Sequence, residues 1–142
     1  MKRYRHAWHP LTILLIIILT SMSRLASAEW VALESRYQLP GLQTFYADPD
    51  TIRREGQFVT LWQLTDFLWA QGGPGFSFRS SKTQKQFDCG APRVRFLTFA
   101  EFSGAMGMGA RMYGLVDPNN WLSIDKGTNL NQALWDLACG NS

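Results

Sequence analysis

The chain has 142 residues, 14 Lys and Arg against 11 Asp and Glu, and a sequence pI near 9.1, which is the size of one domain. Lys2, Arg3, Arg5 and Arg24 fall in the first 28 residues and all 11 acids beyond them, so the remainder carries 10 basic residues, a net charge of −1, and no argument for a nucleic-acid partner. Both histidines, His6 and His9, also lie in that first stretch, so the remainder excludes Ser-His-Asp and Cys-His catalysis and His-ligated metal sites.

The first element is a leader. A basic head precedes Leu11 to Leu19, in which only Thr12 is polar, and Ala26-Ser27-Ala28 supplies small residues for a cut before Glu29. This order predicts a signal peptide over 1–28 and a mature domain over 29–142. The apolar run is too short to span a bilayer, and no second long one follows, so no transmembrane segment is expected in the mature chain. An exported protein with two remaining cysteines, Cys89 and Cys139, predicts one disulfide, with two free thiols as the alternative. The bridge closes a loop of about 50 residues, worth roughly 4 kcal/mol in the chain-entropy model.

Short strands follow. Trp30 to Ser35 reads as a strand with Trp30 and Ala32 on one face. Pro40-Gly41 marks a turn, and Gln43 to Ala47 is a strand that Asp48-Pro49-Asp50 is expected to stop, since Pro cannot donate to a ladder. Thr51 to Gly56 reads as a turn carrying Ile52 inward. Gln57 to Phe67 is the clearest strand: Phe58, Thr60, Trp62 and Leu64 alternate with Val59, Leu61, Gln63 and Thr65, and apolar residues on both faces predict a central position.

Gln71 to Gly75 is glycine-rich and reads as a loop. Phe76 to Phe87 alternates but is mostly polar, which predicts a solvated or edge strand. Arg93 to Phe102 is another strong strand, Gly104 to Gly109 a flexible hairpin loop, and Arg111 to Val116 and Trp121 to Ile124 two shorter strands. Thr128 or Asn129 caps a final helix, Asn129 with Gln132 at capping-box spacing being the better candidate, and Leu130, Leu134 and Leu137 form its apolar stripe; Gly140 sits where a helix C-terminus often needs a left-handed residue. Strands followed by one helix predict an α+β fold, an antiparallel sheet with the C-terminal helix on one face. The disulfide then ties the helix end to the sheet.

No constellation specifies an enzyme, a cofactor or a metal. Gly104 to Gly109 lacks the Gly-x-Gly-x-x-Gly order and the following helix of a phosphate loop. Asp48 and Asp50 lack further oxygen donors for calcium and fit side-chain turns around Pro49. Two features point to protein binding. Trp69 stands beside the glycine loop, where an exposed aromatic serves an interaction surface. Arg79, Lys82 and Lys85 lie within seven residues, either as an edge protected from aggregation or as a strip for a partner.

The order of these pieces resembles the surface-adhesin protein E family of bacterial exported proteins. The resemblance rests on Trp30, Tyr46-Ala47-Asp48, Thr51-Ile52-Arg53, Val59-Thr60-Leu61-Trp62, Ser80 to Lys82, Asp88-Cys89, Trp121-Leu122-Ser123-Ile124, Gly127-Thr128 and Cys139. It implies a sheet of about six strands with a disulfide-tied helix. It also implies adhesion to host matrix or serum proteins such as laminin and vitronectin, alone or as a homodimer. The leader has no cysteine at its cleavage site for a lipid anchor, so the periplasm stands beside the cell surface as a destination. A periplasmic accessory protein of the envelope and a small-ligand carrier are the alternative functions.

Overall fold

The computed structural model describes residues 29–127 and 129–140; the leader expected over 1–28 lies outside the described residues. Seven strands form one sheet: β1 (Val31–Ala32), β2 (Gln43–Glu55), β3 (Phe58–Gly73), β4 (Phe76–Asp88), β5 (Arg93–Phe102), β6 (Arg111–Tyr113) and β7 (Leu122–Ser123). The order runs β1 to β6 in sequence with every pairing antiparallel, and β7 adds to β5 beside Arg93 and Val94. Among the described residues one α-helix, α1 (Leu130–Cys139), follows the last strand.

The two faces of β3 are those its alternation predicts. Val59 and Leu61 join Ala47, Phe87, Val94 and Ile124 beneath Leu134 and Ala138 of α1. Leu134 is fully buried, and burying one such side chain contributes about 2 kcal/mol. The helix begins where its cap predicts: the Asn129 side chain accepts from the Gln132 N–H at 2.9 Å. It ends at Gly140, whose φ of 77° is left-handed, with its N–H donating to the Asp136 carbonyl. The Cys89–Cys139 disulfide ties that end to the end of β4, Cα to Cα 5.5 Å.

Pro49 does not stop β2. The strand continues to Glu55 through a bulge between Asp48 and Arg53. Here side chains replace the ladder: Thr51 Oγ1 donates to the Asp48 carbonyl at 2.6 Å and accepts from the Trp62 N–H at 3.0 Å. Asp48 Oδ1 accepts from the Asp50 N–H at 3.1 Å, the side-chain turn expected around Pro49.

The polar strand β4 is not at an edge; it pairs with β3 on one side and β5 on the other. Most of its buried polar side chains find partners. Ser80 Oγ donates to the Gly104 carbonyl at 2.6 Å and accepts from the Gly107 N–H at 2.8 Å. Gln86 Oε1 accepts from Arg95 Nε at 2.8 Å. Asp88, with no exposed surface, accepts from Arg93 Nε, the Gly90 N–H and Gln57 Nε2. Polar composition therefore marks a satisfied interior strand here, not a solvated one.

Candidate functional site

Strand alternation divides the three cations expected to form one strip. Lys82 pairs opposite Leu64 and Lys85 opposite Leu61, so the two lie on opposite faces of the sheet. Lys85 is buried beneath α1 and donates to Asn131 Oδ1 at 2.7 Å. Lys82 Nζ sits between the rings of Trp30 and Phe102, 5.4 Å and 5.1 Å from their centroids. Burial and then the Arg111 charge lower its pKa below the ordinary lysine value, against the pull of Asp48. Lys82 thus bridges the Trp30 segment and β5 on this face of the sheet.

Arg79 and Trp69 remain at one end of the molecule. β2 pairs with β3 only as far as Phe67, and β5 with β4 only from Ser80. Beyond those points β3 and β4 pair only with each other, at Gln71–Phe78, Gly72–Ser77 and Gly73–Phe76. This two-stranded ribbon would be marginal alone. An edge-to-face contact of Phe67 with Phe78, 5.6 Å between centroids, and the bond from Arg79 Nε to the Phe67 carbonyl at 3.2 Å stiffen its base. Gly72, at φ 96°, has no room for a Cβ beside the Phe76 carbonyl, which explains a glycine in the strand.

The ribbon base meets the turn at Pro40-Gly41. The Leu68 N–H donates to the Leu42 carbonyl at 2.9 Å, and Leu39, Leu42, Phe67, Leu68 and Arg79 line a hollow of about 320 Å³. Leu39, Leu42, Leu68 and Trp69 are all large, apolar and exposed. Trp69 stands out in the sequence, whereas the three leucines do not. The signal available was Leu39-Pro40-Gly41-Leu42, two leucines on a turn where polar residues are the rule.

A second hollow of about 440 Å³ lies beside α1, lined by Val31, Leu33, Tyr37, Ala47, Ala133 and Leu137 among others. No helix among the described residues is long and apolar enough to cross a membrane.

Three solved structures share this arrangement. Crystal form II of Haemophilus influenzae protein E matches with a TM-score of 0.56 and 17% identity, over 78% of this chain and 97% of that one. Protein E from non-typeable Haemophilus influenzae matches with 0.53 and 19%, over 81% and 86%. The selenomethionine form of Haemophilus influenzae protein E matches with 0.55 and 16%, over 78% and 95%. At these identities the likeness establishes the fold. No match was found among curated protein sequences. The model of the surface-adhesin protein E family matches residues 30–140, spanning the whole sheet, the helix and the disulfide, and the chain belongs to that family.

Proposed function

We propose that this protein is an exported, non-enzymatic binding domain that engages a protein partner through the apolar end of its sheet. The observation that carries the reading is the exposure of four large side chains there: Leu39 by 46%, Leu42 by 60%, Leu68 by 51% and Trp69 by 66%. Exposed apolar residues scattered singly need no explanation, but three of these surround or adjoin one hollow and the fourth follows in sequence. Arg79 supplies a cation at its rim. A rigid aromatic beside aliphatic groups and one Arg is the composition of a binding hot spot. Membership in an adhesin family makes a host matrix or serum protein the first partner to test.

The test compares the mature domain with a Leu42→Ser, Leu68→Ser, Trp69→Ser variant for binding to immobilised laminin and vitronectin. The expected result is at least about a tenfold loss of affinity with an unchanged circular dichroism spectrum. Unchanged affinity would remove this patch from the site. Absence of wild-type binding, with strict periplasmic residence on fractionation, would favour an accessory protein of the envelope instead.

The hollow beside α1 supports a second reading, a carrier of a small apolar ligand. Its wall is largely aliphatic, and its volume is within the range of small-molecule sites. Displacement of a fluorescent fatty-acid probe by envelope extracts, lost in Ala133→Trp, would support the carrier; no uptake of the probe would end it.

A further inference from the structure

Among the described cations only Lys85 is buried, with 5% of its surface exposed. Its Nζ donates to Asn131 Oδ1 and lies 5.2 Å from the ring centroid of Phe96. No carboxylate among the described residues is within ion-pairing distance of it. A buried ammonium without a counter-charge is costly, and burial alone lowers the Lys85 pKa to about 7. Near neutral pH a large share of this amine is the free base.

Space adjoins it. A cavity of about 410 Å³ opens between β4, the β7 end and the start of α1, lined by Lys85, Ser123, Ile124, Asp125, Leu130 and Asn131. It is separate from the ribbon patch, whose hollow shares no residue with it. Asn131 contributes an amide oxygen, which accepts an N–H without stabilising the charged form as a carboxylate would. One amine hydrogen is so engaged, and the lone pair is left for another partner.

We infer that Lys85 is a carbonyl-reactive site whose amine condenses reversibly with a small, uncharged aldehyde held in this cavity. The nitrogen lone pair forms a C–N bond to the carbonyl carbon as the C=O π bond breaks. The carbinolamine then loses its oxygen as water, which takes both amine protons, and an imine remains; nothing is oxidised or reduced. Asp125, the charged side chain that shares the cavity with Lys85, disfavours an anionic aldehyde. The Ser123 hydroxyl offers a hydrogen bond to a hydroxyl substituent.

The folded domain is tested with glycolaldehyde at pH 7, sodium cyanoborohydride supplying the hydride that traps the imine. Beyond residue 28 the chain has only Lys82, Lys85 and Lys126, so peptide mapping resolves each site. Lys85 is expected to gain a hydroxyethyl group several-fold faster than exposed Lys126. Asn131→Asp, which adds the missing counter-charge, is expected to slow Lys85 about tenfold or more while Lys126 is unchanged. Glyoxylate is expected to react more slowly than glycolaldehyde. Labelling of Lys126 with Lys85 untouched until denaturant is added would overturn the proposal. So would an unaltered Lys85 rate in Asn131→Asp, and a faster rate with glyoxylate would overturn the uncharged class.

Discussion

The indole Nε1–H of Trp135 donates to the backbone carbonyl of Asp88 at 2.8 Å, one residue before the disulfide at Cys89. A covalent and a polar link therefore join α1 to the same end of β4. The Asp88 carboxylate completes the junction from the other side of the strand by binding Arg93, Gly90 and Gln57.

Loss of the covalent link should loosen the helix before the sheet. Cys139→Ser is expected to cost about 2 to 5 kcal/mol. Hydrogen exchange should show α1 amides losing protection ahead of those in β3, since a helix of this length is marginal alone. Equal loss in both would mean the sheet depends on the tether as much as the helix does.

Asp88 should make the fold acid-sensitive. Burial favours its neutral form, but hydrogen bonds from Arg93 and the Gly90 amide and the Arg93 charge outweigh that and hold its pKa below the usual carboxylate range. A depressed carboxylate pKa gives stability that is present above the unfolded value, about 4, and lost as pH falls through the folded value. Denaturant titrations should show that loss in the wild type and a smaller one in Asp88→Asn. At neutral pH Asp88→Asn should be less stable by about 3 kcal/mol, because the ion pair with Arg93 at 2.7 Å is broken. Identical pH profiles would remove Asp88 from the acid response.

Lys85 predicts the same direction in a separate, neutral to alkaline window. Its folded pKa near 7 lies below its unfolded value near 10.5, so between them the unfolded chain binds the extra proton. Stability should therefore rise with pH across that window, by up to about 1.4 kcal/mol per pH unit. Lys85→Met should flatten the rise and be the more stable protein at pH 6. Parallel curves would show that the amine keeps its charge in the fold.

Gly107 should resist substitution. It has φ of 74°, and a Cβ there would collide with Lys82 Cε. Gly107→Ala is expected to cost more than about 1 kcal/mol and to free Lys82 from Trp30 and Phe102. Tryptophan fluorescence reporting greater exposure of Trp30 checks this; an unchanged spectrum and stability would mean that the Gly104 to Gly109 loop yields easily.

Much of the architecture is determined by sequence alone. The alternation in Phe58 to Thr65 assigns both faces of β3 because successive side chains must point to opposite sides. Asn129, Gln132 and Gly140 bound the helix because its terminal amides and carbonyls need local partners. Cys89 and Cys139, the two cysteines of the sequence, pair as their even count predicts. Only the tertiary structure decided the place of β4, the course of β2 past Pro49, and the exposed apolar patch. A polar strand reads as solvated until its partners are known, and those of Lys85 and Ser80 are distant in sequence: Asn131 stands 46 residues from Lys85, and Gly104 and Gly107 stand 24 and 27 from Ser80. The exposed patch likewise needs the turn at Leu39 to Leu42 and the β3–β4 ribbon brought together, a contact made by sheet register rather than by any local propensity.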